Sequence, residues 1–235
     1  MYENSIFVNR YRYDEKIFPI NEEEIWRYAG YRGIPGEEEE ALKKLLQVVI
    51  QDLEKKLSYK VCYRRMPLEW KNSIPQLPFD TESKDLTRCL KRCDEIIIFA
   101  ATIGLEIDRY IAKNQRFATT KALLAQAYGA ERIESLCNAF CKEIGEKAAE
   151  EGKNCTARYS PGYGDLSLGV QKDIFQLLDC GRQIGISLNE SLLMTPSKSV
   201  TAILGIGSKD ICVVNKSVHK CENCNNAGCQ YRMNG

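Results

Sequence analysis

Residues 158–178 read RYSPGYGDLSLGVQKDIFQLL, and the rest of the chain is organised around them. Pro161-Gly162 favours a tight turn, because proline presets φ and glycine tolerates φ > 0 at the next position. Gly164 removes a second side chain, so the backbone there can approach a ligand closely. Tyr163 stands between the two glycines, where its ring can wall an adenine or a sulfonium; a cation on an aromatic face gains about 0.5–2 kcal/mol. Arg158 offers a planar fork suited to a carboxylate. Beyond Asp165 or Ser167, either able to cap, Val170, Ile174, Leu177 and Leu178 form one helical stripe. The same residues also suit an ordinary surface turn before a core helix, since turn dipeptides are common.

The 235 residues are enough for one sizeable core, or one core with a small appendage. Lys+Arg is 33 against Asp+Glu 32, which excludes a global basic field for nucleic acid. No run of 18 apolar residues occurs, and Glu3, Arg10 and Arg12 replace an apolar signal core. A cytoplasmic protein with no membrane contact is expected, and its 11 cysteines then read as thiols or ligands. The only histidine is His219, which rules out H-E-x-x-H zinc centres. Neither a G-x-x-x-x-G-K-S/T loop nor a G-x-G-x-x-G fingerprint is present.

Ile6, Val8, Tyr11 and Tyr13 suggest an edge strand within 1–20, and Asn21 with Glu24 a capping box for a helix through Tyr28. Helical spacing predicts a helix over 37–57, and alternation a strand over 58–64. A loop is expected at 67–78 and a helix over 83–93, with Leu86, Leu90 and Cys93 on its buried side. Ile96–Ala101 reads as a central strand covered on both faces. Thr102-Ile103-Gly104 then turns into a helix carrying Leu105, Tyr110 and Ile111, a turn that could cradle an anion. A long helical region from Thr119 to Glu150 should break near Gly129 and Gly145. Gly181 and Gly185 end the helix that follows the central motif. Residues 186–194 read as one strand, and the strand through Val200–Ile206 pairs with Ile211–Val214 in a hairpin. The expected fold is α+β, a mainly antiparallel sheet flanked by helices.

Cys221, Cys224 and Cys229 form C-x-x-C-x-x-x-x-C, a cluster suited to zinc or an iron–sulfur cluster. His219 is the nearest fourth ligand, with Cys155 or Cys180 as alternatives in space, and three reduced thiols without metal is the plain reading. The pairs Cys89/Cys93 and Cys137/Cys141 stand at i, i+4 and read as core residues on shared helix faces.

The run R-x-x-P-G-Y-G at 158–164, followed by an apolar helix, resembles the S-adenosylmethionine (AdoMet) motif of the cobalamin-dependent methionine synthase activation domain. IGISLNESLLMTPSKSVTAILGIG, residues 184–207, is similar to the same family. The resemblance implies an AdoMet-binding activation domain over 1–215, with helices and strands over 1–117 and the helix, motif and hairpin over 118–215. Residues 216–235 would be a Cys-rich C-terminal tail. It implies that Arg158 holds the AdoMet carboxylate, that Ser160, Pro161, Gly162, Tyr163 and Gly164 contact the adenosine and methionine portions, and that Glu134, or Ser135 if the register slips, meets an amino or hydroxyl group. The implied function is reductive methylation of a cobalamin. D-x-H-x-x-G is absent from this sequence, so the cobalamin is expected on a separate corrinoid-binding methionine synthase protein, with a flavodoxin-like or ferredoxin-like electron donor. Two other readings stand beside it: a metal-containing reductive activator of corrinoid proteins, and a small-molecule AdoMet-dependent methyltransferase.

Overall fold

The structure is a computed structural model and describes residues 5–12, 14, 16–31, 36 and 40–209. The N-terminal alternation forms an edge strand, β1 (Phe7–Tyr11). Asn21 caps α1 (Glu22–Tyr28) by accepting from the Glu24 amide at 3.1 Å. The capping box is only half made, because the Glu24 carboxylate pairs with Arg27 instead. The next elements are α2 (Glu40–Leu53) and β2 (Tyr59–Pro67). The expected loop at 67–78 contains a two-residue hairpin, β3 (Trp70–Lys71) and β4 (Ile74–Pro75), turned by Asn72 and Ser73 at φ 51° and 64°. α3 (Lys84–Cys89) is shorter than expected, and β5 (Cys93–Thr102) begins at Cys93, so Cys89 and Cys93 share no helix face.

α4 (Glu106–Asn114) follows Gly104. In the turn before it, the Ile103 amide donates to the Lys198 carbonyl and the Gly104 amide to the Thr102 hydroxyl. α5 (Thr119–Glu150) runs 32 residues without the expected breaks. Gly129 serves packing instead, since a Cβ there would lie 2.8 Å from Ile107 Cγ1 and 3.1 Å from Lys198 Cγ. Next come β6 (Lys153–Cys155) and α6 (Val170–Leu178), which ends at Asp179 in the left-handed region (φ 47°). The expected stop at Gly181 is instead the inside of a short helix, α7 (Cys180–Ile184). The single strand expected over 186–194 is two, β7 (Ser187–Leu188) and β8 (Met194–Thr195), paired around a turn. β9 (Ser199–Ser208) is the last element, and its expected hairpin partner at 211–214 lies outside the described residues.

Five strands form one sheet in the order β1-β2-β5-β9-β6, every pairing antiparallel, which is the α+β arrangement expected. Alternate residues of β5 face opposite ways. Ile97, Phe99 and Ala101 join the core roofed by α1, α2, α4 and α5, while Ile96, Ile98 and Ala100 join a second core with Leu86, Ile174, Leu178 and Ile184. Each large side chain so buried contributes about 1.5–3 kcal/mol.

Two polar fastenings hold the periphery to these cores. Arg132 on α5 is 0% exposed, donates to the carbonyls of Phe18 and Pro19 at 2.8 Å, and pairs with Glu131. Glu131 also accepts from the Asn21 amide, so the pair ties the segment before α1 to α5. The second fastening is Asp165, which does not cap α6: that helix begins at Gly169 with no side-chain cap. Asp165 accepts instead from the Ser83 hydroxyl and, at 2.8 Å, from the Lys84 amide at the start of α3. Those donors hold its carboxyl below the usual carboxylate range, the Ser83 hydroxyl first among them.

Arg132→Ala leaves Glu131 buried without its charge partner and should cost about 3–5 kcal/mol in urea unfolding, whereas Glu131→Gln with Arg132→Met should recover much of that loss. A cost below about 1 kcal/mol for the single variant would remove the pair as a fastening. Asp165 has a depressed folded-state pKa, so its contribution is present above the ordinary value of 3.8 and is lost as pH falls through the folded value. Unfolding of wild type and Asp165→Asn should therefore differ most at neutral pH and converge as pH falls below the ordinary carboxylate range; a difference independent of pH refutes this.

Candidate functional site

The chain leaves α5, passes through β6 and runs along the edge of β9. The Thr156 amide donates to the Gly205 carbonyl at 2.9 Å, and Tyr159 and Ile203 exchange two backbone bonds of 2.8 Å. Extended backbone sends neighbouring side chains to opposite sides. Tyr159 packs into the core beneath α6, and Arg158 reaches across to α5.

There one Arg158 amino group donates to Asn138 Oδ1 at 2.7 Å and the other to Glu134 Oε2. The side chain is 18% exposed, sheltered but reachable. Beneath it lie Cys137 and Cys141. Burial pushes both thiols up and the Arg158 charge opposes that only in part, so they stay protonated at neutral pH. Glu134 and Asn138 also line a cavity of about 180 Å³ between α1 and α5, with Tyr28, Glu24, Glu131 and Ser135.

The elbow itself is a closed turn at the surface. Pro161 is buried; the Gly162 amide donates to the Leu166 carbonyl at 2.9 Å and the Tyr163 amide to the Ser160 carbonyl at 3.1 Å. Gly164 has φ 52°, and a Cβ there would lie 2.3 Å from Tyr159 Oη and 2.7 Å from Asp85 Oδ2, so only glycine fits. Tyr163 is 52% exposed and meets Tyr159 edge-on, with centroids 6.2 Å apart. The Tyr159 phenol donates to the Tyr163 carbonyl at 3.2 Å. Burial pushes that phenol up to about 12, with the Asp85 and Asp165 carboxylates adding to the effect.

Arg158 and Glu134, far apart in sequence, are thus in contact, and Ser160, Pro161, Gly162, Tyr163 and Gly164 share one turn beside them. The Ser135 hydroxyl bonds Glu131 and Arg132, while Glu134 meets Arg158. Asn138 and Tyr159 escaped the sequence reading, and Asp165 entered it only as a cap for the helix that follows. Tyr159 lay inside the quoted motif, and Asn138 stands one helical turn after Glu134, a spacing that could have flagged it. Asp165 gave no such signal, because its partners are 80 to 82 residues away.

Cys221, Cys224, Cys229 and His219 lie outside the described residues. Among the described residues no three Cys, His, Asp or Glu side chains converge as metal ligands. Cys180, considered as a remote ligand, is fully buried in the second core. Burial pushes the half-buried Cys155 thiol up to about 11. No helix among the described residues is long and apolar enough to cross a membrane.

No curated protein matches the sequence. Among 13 solved chains that match, the crystal structure of the MetH reactivation domain bound to AdoHcy aligns with a TM-score of 0.58 at 18% identity, over 86% of this chain and 78% of that one. At that identity the likeness establishes the fold. Residues 85–210, from the Asp165-capped helix through the elbow to the end of β9, match the family described as vitamin B12 dependent methionine synthase, activation domain. The chain belongs to that family.

Proposed function

We propose that the chain binds AdoMet at the elbow and supports reductive methylation of the cobalamin carried by a separate corrinoid-binding methionine synthase protein. The observation that carries this reading is the sheltered Arg158 guanidinium at the foot of a solvent-facing, glycine-flanked turn within the matched family region. A guanidinium has five N–H donors, so pairing with Glu134 and Asn138 leaves donors for a ligand carboxylate. The cavity lined by Glu134 suits the ligand's ammonium end, and its volume of about 180 Å³ leaves the adenosine to lie over the turn. There Tyr163, half exposed, offers a ring face. The related reactivation domain was solved with AdoHcy, which is AdoMet without its methyl group.

When bound, AdoMet supplies an electrophilic methyl group on a sulfonium. The chain's own residues grip the two ends of the ligand and hold it still. Fixing a methyl group in line with its acceptor can remove up to about 7–11 kcal/mol of entropic barrier. The acceptor is the corrinoid cobalt, restored to its nucleophilic state by one electron from a flavodoxin-like or ferredoxin-like donor, so no general base is required. Residues 1–215 would form the AdoMet-binding unit and 216–235 an appendage holding zinc or an iron–sulfur cluster through Cys221, Cys224, Cys229 and His219. The small-molecule methyltransferase reading loses support, because its usual plan needs a parallel sheet and every strand pairing among the described residues is antiparallel.

Calorimetry with AdoMet on wild type and Arg158→Ala tests the central claim. Loss of a charge-assisted contact should weaken binding by about 1.5–3 kcal/mol; equal affinity would take Arg158 out of its role, and no binding by wild type would end the proposal. Zinc and iron analysis of anaerobically purified protein tests the tail. About one equivalent of metal in wild type and little in Cys221→Ser is expected; a metal-free wild type refutes it.

A further inference from the structure

A second groove, beside α3, takes no part in the function proposed above. It lies between α3 and the β3–β4 hairpin, has a volume of about 680 Å³, and is lined by Trp70, Lys84, Thr87, Arg88, Lys91 and Arg92 among others. That volume falls in the range of about 300–1,000 Å³ typical of small-molecule sites.

Its chemistry is one-sided. Among the described residues four cations line it and no carboxylate does. Arg88 pairs with Asp85 at 3.0 Å, but no ion pair among the described residues engages Lys84, Lys91 or Arg92. Uncompensated like charges around a concavity raise the local concentration of anions. Trp70 supplies a flat apolar wall, its position set by the indole N–H, which donates to the Cys93 carbonyl at 2.9 Å. The aliphatic stems of the lysines and arginines extend that apolar surface beneath their charged ends.

The rim is also held in place. Arg92 has φ 68°, a conformation that costs a non-glycine residue free energy. Its carbonyl would be 2.3 Å from a Cβ at Gly207, so β9 fixes the turn that carries Lys91 and Arg92.

We propose that this groove binds a small planar anion of the nucleoside monophosphate class. The ring would stack on Trp70, and the phosphate would meet Lys84, Lys91 and Arg92. The argument stands independently of the AdoMet site.

Guanosine 5′-monophosphate, titrated into the full chain at low salt, provides the test by calorimetry and tryptophan fluorescence. The chain has 2 tryptophans and Trp26 is fully buried, so quenching on binding reports Trp70. Saturable binding with quenching is expected, unaffected by AdoMet. Affinity should fall at least about tenfold in Lys84→Gln/Lys91→Gln/Arg92→Asn, where asparagine tolerates the positive φ, and similarly in Trp70→Leu. Guanosine and inorganic phosphate should each bind at least about tenfold more weakly than the nucleotide, since each lacks one half of the recognition. The proposal is overturned by absence of saturable binding, by undiminished affinity in the folded triple variant, by displacement with AdoMet, or by inorganic phosphate binding as tightly as the nucleotide.

Discussion

Strands β5 and β9 run side by side through the middle of the sheet, and their side chains must alternate between its two faces. Because β5 is apolar at nearly every position from Ile96 to Ala101, neither face can be left to water. Four helices roof one side and α3, α6 and α7 the other. The elbow lies where the chain crosses between these layers, over the edge of β9. That crossing sends Arg158 towards α5 and Tyr159 beneath α6. The site is therefore a by-product of covering a strand on both faces.

Two arginines against α5 show how environment separates roles. Arg132 is wholly enclosed, with backbone carbonyls and Glu131 taking its donors, and it can only hold the N-terminal segment in place. Arg158 has a carboxylate partner too, but keeps 18% of its side chain at the surface. The protonated thiols of Cys137 and Cys141 beneath it add no competing negative charge. A guanidinium resting on neutral sulfur and facing solvent stays available to an anion in a way that Arg132 does not.

Periodicity revealed much of the architecture. The apolar run at 96–101, the Asn21 cap and the helical stripe after Gly169 were each legible, because each is local and each pairs residues within a few positions. Legibility failed where distant groups decide. Gly129 reads as a helix breaker, yet it is where Ile107 and Lys198 press against α5, and tertiary packing overrides propensity. Asp165 reads as a cap for the helix beside it and serves α3 instead. In 186–194 the alternation suited one strand and concealed the turn at Asn189–Leu193, closed by the Asn189 side chain accepting from the Leu193 amide at 2.9 Å. Among the site residues the arginine motif was visible as a string, while its contacts with Glu134 and Asn138 required the fold.

The two limbs of the elbow are anchored unequally. Upstream, Tyr159 is stitched to Ile203 by paired backbone bonds alongside a buried strand. Downstream, Asp165 grips α3 through contacts that water can reach. Solvent competes for the second attachment far more readily than for the first. Transient opening should thus begin at Asp165 and pivot about Tyr159, swinging Tyr163 outward while Arg158 stays seated.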